Sequence, residues 1–168
     1  MKKLIAVIAI AGLVAVAIFL LSEREYRWSL AENMPRPEVP ADNPMSAAKV
    51  ELGRRLFYDR RLSVNQTTAC ASCHIQALAF TDGRPRSVGA TGDLHPRSSM
   101  TIVNTAYASR LTWANPLLDR LEDQALTPMF GDEPVEMGMA GREELLVDIL
   151  RGDEVYAALL PEVFPCLL

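Results

Sequence analysis

Histidine is nearly missing from this sequence: His74 and His95 are the only two in 168 residues, so any imidazole-based metal centre must draw on that pair. Cysteine is almost as scarce. The three present, Cys70, Cys73 and Cys166, are odd in number, which excludes a framework that pairs every thiol. Runs that alternate apolar and polar residues are lacking and no segment repeats, which leaves a mainly α chain. An excess of basic residues is lacking too. Beyond residue 21, 15 basic residues (17 less Lys2 and Lys3) face 21 acidic ones, a formal charge of about −6. That balance argues against a nucleic-acid partner and suits a basic redox partner.

One long apolar run is present. After Met1-Lys2-Lys3 the chain is uncharged from Leu4 to Leu21, a length that as a helix spans about 27 Å, close to the hydrocarbon core of a bilayer. The two lysines hold that end in the cytoplasm, so the remainder of the chain is exported to the periplasm. Residues 1–21 therefore read as one transmembrane helix or a signal segment. Ala15-Val16-Ala17 offers an A-x-A cleavage site, but the apolar run continues past it with no polar stretch, which favours an uncleaved inner-membrane anchor. Residues 22–45, with Pro35, Pro37, Pro40 and Pro44, read as a semi-extended linker. Tyr26 and Trp28 sit where an interfacial aromatic anchor is expected.

The chemistry concentrates in Cys70-Ala71-Ser72-Cys73-His74. Thiols at i and i+3 share one face of a helical turn, where both can reach the vinyl edge of a porphyrin and form thioethers. The adjacent imidazole is then delivered to the iron, and C-x-x-C-H is the attachment signature of a c-type haem. Three other readings compete. A thioredoxin-like pair needs a buried strand before it, whereas residues 62–68 are polar loop. A zinc site drawing on Cys70, Cys73, His74 and His95 suffers from the adjacency of Cys73 and His74. Two inert cysteines are the third. Cys166 is left unpaired near the end.

Around this motif the spacing predicts a helix over about 45–58, opened by Asn43-Pro44 and striped by Ala47, Val50, Leu52, Leu56 and Phe57. Gly53 inside it costs about 1 kcal/mol relative to Ala, and marks either a close approach or an ordinary helical glycine. Residues 81–99 form a long loop in which Arg84, Arg86 and Arg97 are available to haem propionates or simply to solvent. Helical patterns return at about 100–109, 116–127 and 141–151. In the last, Leu145, Leu146, Ile149 and Leu150 make one face, and Glu143 and Glu144 favour the positive helix start.

Taken in order, several blocks resemble the bacterial di-haem cytochrome c peroxidases and their MauG-type relatives. They are Leu52 to Asp59 with Leu62-Ser63, the Cys70–His74 motif, Ala79-Phe80-Thr81-Asp82-Gly83, Arg97 to Asn104, and Leu121 to Leu126 running into Pro134-Val135-Glu136-Met137-Gly138. Leu111 to Pro116 and Met129-Phe130-Gly131 look most like the branch containing the methanobactin-operon enzymes. The resemblance covers about residues 46–165, read as an N-terminal c-type haem domain with a cytochrome c-like fold. It implies that His74 ligates the iron and that Trp113 lies between two haems, where an indole can relay an electron. It also implies that Gln124 and Glu136 form the polar pair on the distal side. A carboxylate there can take a proton from one peroxide oxygen and return it to the other. Without the family, Trp113 reads as a core aromatic and Glu136 as a surface charge.

His95 is an alternative sixth ligand but matches the family's loop histidine poorly, which points to an open or weakly ligated distal site. Family members carry a second haem domain that these residues do not supply, so the expectation is a truncated product or one half of a split protein, with the second haem on a separate chain. Three functions are open to such a chain. The first is the peroxide-reactive half of a haem c peroxidase, acting on hydrogen peroxide with a periplasmic electron donor or protein substrate. The second is a mono-haem electron carrier with Met100, Met129, Met137 or Met139 as axial ligand. The third is an inactive fragment.

Overall fold

The computed structural model describes residues 26–113 and 115–165. It is built from five helices among those residues: α1 (Ala47–Tyr58), α2 (Cys70–Cys73), α3 (Leu121–Phe130), α4 (Glu143–Gly152) and α5 (Glu154–Val163). Single 3-10 turns lie at Arg60–Leu62, Gln76–Leu78 and Thr105–Tyr107. The described residues contain isolated β-bridges and no strand, as the lack of alternation implies. No helix among them is long and apolar enough to cross a membrane. The expected membrane segment, residues 1–21, and Cys166 lie outside the described residues.

α1 begins two residues later than its sequence suggests. Ser46 is the cap, its Oγ accepting from the Lys49 amide at 3.1 Å, because a hydroxyl two or three residues ahead satisfies a free N–H. Asn43 is used elsewhere. Its Oδ1 accepts from Lys49 Nζ and its Nδ2 donates to Glu122 Oε1, each at 2.6 Å. Together with the Asp42–Arg120 ion pair and a bond from the Tyr107 hydroxyl to the Pro35 carbonyl, this lays residues 35–43 against the domain.

Leu52 of α1 packs with Tyr156 and Val163 of α5, and Leu56, Leu150, Leu159 and Leu160 close around them. A second cluster joins Leu62, Met137 and Met139 to Phe130, Leu146 and Ile149. Leu56 and Leu150 belong to both, so the two form one continuous core. α4 lies where its periodicity predicts, with Leu146, Ile149 and Leu150 inward, whereas Leu145, expected on the same face, is exposed. α5, which the spacing does not predict, is capped by Asp153, whose carboxylate accepts from the Val155 and Tyr156 amides.

Two predicted helices differ. Over 100–109 only the Thr105–Tyr107 turn forms. Thr101 Oγ1 donates to the Ala79 carbonyl and accepts from the Val103 amide, and Asn104 takes a left-handed φ of 57°. Such side-chain bonds compete with the helical ladder, and β-branched Thr101, Ile102 and Val103 do little to defend it. The helix expected at 116–127 instead runs Leu121–Phe130. Asn115 starts an Asx turn onto the Leu117 amide, and the far end is braced because Pro128 and Met129 carbonyls accept from the Met137 and Met139 amides.

Candidate haem site

α2 is a single turn, so its two thiols stand on one face, and neither is in a disulfide. Burial pushes both thiols up from their ordinary value. A nucleophilic redox pair requires the opposite shift, and among the described residues no strand precedes the motif, which speaks against the thioredoxin-like reading. The zinc reading fails as well: among the described residues no cluster of three or more His, Cys, Asp or Glu is arranged to hold a metal.

His74 comes directly after the turn, and its Nδ1 lies 3.0 Å from the Phe80 carbonyl. A carbonyl can only accept, so Nδ1 carries the proton and Nε2 is left with its lone pair, the arrangement an iron ligand needs. The loop that supplies this carbonyl is strained. Ala79 and Phe80 both adopt left-handed φ, 53° and 57°, a conformation that costs a non-glycine residue about 1 kcal/mol or more. Bonds from the Phe80 amide to Ile75 and from the Ile75 amide to Thr81 hold it closed. Phe57 of α1 completes an aromatic wall, with ring centres 6.3 Å from His74 and 6.4 Å from Phe80. The donor set therefore fits a covalently attached haem: two free, half-buried thiols on one turn and an imidazole locked in the ligating tautomer. Among the described residues, nothing beyond its own stretch of helix lies within 4 Å of where a Cβ on Gly53 would stand, so packing against another element does not account for it.

Glu136 comes from a distant part of the sequence. It directly precedes Met137, which is buried, whose amide donates to Pro128 and whose carbonyl accepts from Val64. Its own carbonyl accepts from the Ala90 amide at 2.7 Å. The side chain keeps 41% of its surface; burial of the remainder pushes its carboxyl up, and His95 and His74 pull the other way. Glu136 in turn raises both thiols. Cys70, Cys73, His74, His95 and Glu136 thus share one electrostatic neighbourhood.

The remaining candidate residues are placed variously. Gln124 is half-buried on α3. Trp113 is 55% exposed, not core; its Nε1 donates to the Ser98 carbonyl and the Arg97 guanidinium lies 5.5 Å from its ring centre. Arg86 bonds the His95 and Leu94 carbonyls, so it braces its own loop. Met137 and Met139 are buried against Leu62, and Met129 packs on them, which makes them core filling and removes them as axial ligands. Two features are not visible from spacing: the Phe80 carbonyl, whose only trace is the Ala79–Gly83 block, and Gly89, for which nothing in the sequence marks a role.

A mainly helical domain with C-x-x-C-H on one turn and its histidine locked by a backbone carbonyl is a cytochrome c-like haem domain. Comparison with known proteins narrows this. The family model for di-haem cytochrome c peroxidase matches residues 47–167, and the chain belongs to that family. It is 44% identical over 133 residues to cytochrome-c peroxidase IdrP1 of Denitromonas iodatirespirans, a match covering 78% of this chain and 34% of that protein. With methylamine utilization protein MauG of Methylorubrum extorquens it shares 33% over 144 residues, 86% of this chain and 38% of the other. A crystal structure of a MauG-like protein associated with microbial copper homeostasis superposes with a TM-score of 0.79 at 48% identity, covering 83% of this chain and 40% of that one. The chain thus spans a little over a third of these relatives.

Proposed function

We propose that this chain is the peroxide-reactive, N-terminal haem half of a di-haem cytochrome c peroxidase or MauG-like enzyme. Cys70 and Cys73 hold one haem c through thioethers and His74 ligates its iron through Nε2. When bound, that group would supply the redox-active metal for the reduction of hydrogen peroxide. The chain supplies the proton handling. Glu136 takes a proton from the peroxide oxygen nearer the metal and returns it to the farther one, which leaves as water. Gln124 orients the peroxide by hydrogen bonding. Two electrons and two protons complete the reduction to a second water; the electrons enter from a periplasmic donor or a second haem by way of exposed Trp113, and the protons come from solvent. The domain works in the periplasm, delivered or anchored there by residues 1–21.

The observation that carries this reading is that one loop meets both groups: the Val88 carbonyl lies 4.0 Å from Cys73 Sγ, and two residues on the Ala90 amide donates to the Glu136 carbonyl, which supports a carboxyl near the iron ligand as a proton shuttle requires. The electron-carrier alternative loses ground because Met137 and Met139 are spent in the core. The test is the haem absorption spectrum on adding hydrogen peroxide. A rapid change is expected in the unsubstituted protein, slowed about 100-fold or more in Glu136→Gln, the span general acid–base groups contribute. A spectrum indifferent to peroxide would favour the carrier.

A further inference from the structure

Residues 87–97 form a tight antiparallel loop. The Ser87 amide donates to the Arg97 carbonyl, the His95 amide to Ser87, and the Gly89 amide to Asp93, with a bridge between Val88 and Leu94. Its tip is pressed onto the segment bearing Glu136. The Ala90 amide donates to the Glu136 carbonyl, Asn65 Nδ2 donates to the Ala90 carbonyl at 2.7 Å, and a Cβ on Gly89 would stand 1.8 Å from the Val135 carbonyl oxygen. Backbone is therefore fitted to backbone at this point, and only glycine permits it. The far strand of the loop carries His95, whose imidazole is 14% exposed and points Nδ1 at Glu136 Oε1 across 3.9 Å. Backbone bonds fix His95 on both sides, its amide to Ser87 and its carbonyl to Arg86 Nε at 2.6 Å.

We infer that His95 is a positioning residue for Glu136: the 87–97 loop grips the backbone of residues 135–136 at its tip and presents an N–H from His95 that steers the carboxylate. This rests on the proton-shuttling role given to Glu136 and deepens it. His95 acts through the carboxylate and does not ligate the iron. The separation of 3.9 Å is longer than a hydrogen bond, so the contact closes by a small rotation of the exposed Glu136 side chain and not by movement of the anchored loop.

The test uses the haem-loaded protein and hydrogen cyanide, whose proton must pass to a distal base as cyanide binds. Its association rate reports the base without any turnover. Misplacing a catalytic group by about 1 Å costs up to about 100-fold, so His95→Ala is expected to slow cyanide association about tenfold. His95→Asn, which keeps an N–H at the same reach, is expected to restore most of the rate. In the Glu136→Gln background, His95→Ala is expected to change nothing further. Three results would overturn the inference: unaltered association in His95→Ala, no rescue by His95→Asn, or effects of the two substitutions that multiply. A resting spectrum that turns from six-coordinate to five-coordinate in His95→Ala would also overturn it, by making His95 an iron ligand. If Glu136→Gln alone leaves association and peroxide reactivity unchanged, the proposed function itself falls; if only His95→Ala is silent, that function stands and this inference does not.

Discussion

Helices α1, α4 and α5 are joined by interlocking apolar side chains, Leu52 and Leu56 on one, Leu146, Ile149 and Leu150 on the next, Tyr156 and Val163 on the last. The stretch from Ser63 to Tyr107 has almost none of this. It is held by hydrogen bonds between side chains and backbone: Ser63 Oγ to the Arg60 carbonyl and Asn65, Asn65 to Ala90, His74 to Phe80, Thr101 to Ala79. Dispersion and burial are tolerant of small shifts, whereas a hydrogen bond is lost within a fraction of an ångström. The division suits the task. The helices provide a base that must only persist, while the loops set atoms that must be in one place: a carbonyl behind His74 and a carboxylate beside it.

If that division is right, substitutions on the loop side change chemistry first and those on the helical side change stability first. The largest effect is expected from Cys73→Ser. One thioether is lost, and a chain exported in a host competent for c-type maturation should lose its haem, reading as colourless protein with the mass of bare polypeptide. A coloured variant with haem still covalently bound would mean that the motif does not hold the group as assigned.

Next comes Gly89→Ala, which sets a methyl against the Val135 carbonyl. Neither partner is a flexible side chain, so the loop must lift from residues 135–136. Overpacking of this kind costs about 2 kcal/mol, measured as the change in denaturant midpoint at unaltered slope. The comparison predicts more than instability. Because the tip of the loop registers Glu136, the peroxide-induced spectral change should slow at temperatures where the variant is fully folded. A destabilised variant with unchanged peroxide kinetics would show that the loop is scaffold only.

The same division explains what is legible in the sequence. α4 obeys the 3.6-residue period with acidic residues in its first turn, and it forms where predicted. α1 is legible except for its cap, since Asn43 and Ser46 are both good caps and tertiary bonds to Glu122 and Lys49 decide between them. Pattern fails wherever a loop residue's role is set by a distant partner. Thr101 spends its hydroxyl on Ala79, 22 residues away, and the predicted 100–109 helix dissolves. Glu136 has no local signature at all. Only its block-by-block likeness to a known family directs attention to it, because nothing within a few residues of it records that Ala90 and His95 will arrive there. No pattern marks Tyr156 either, although it proves to be a core residue with a polar tip.

That tip gives the smallest and sharpest test, because it is a loop-style bond set inside the helical base. The buried Tyr156 hydroxyl donates to Asp59 Oδ2 at 2.9 Å, and Arg61 bonds the same carboxylate. Burial draws the Asp59 carboxyl up, but the bonds from Arg61 and Tyr156 outweigh it and hold the group below its ordinary 3.8. A depressed carboxyl contributes stability that is complete above the unfolded value and is lost as pH falls through the folded one. Tyr156→Phe should therefore cost about 1 kcal/mol at neutral pH, the usual worth of one such bond, with the deficit shrinking below about pH 4. At the alkaline end the signs reverse. Burial first, and then the bond to Asp59, push the tyrosine up to about 12, so the unsubstituted protein should lose stability between pH 10 and 12 while the phenylalanine variant, having no hydroxyl to ionise, should not. Peroxide reactivity should be unmoved across the neutral range in both. A Tyr156→Phe protein as stable as its parent at pH 7 but slower with peroxide would erase the distinction between the two halves of the domain.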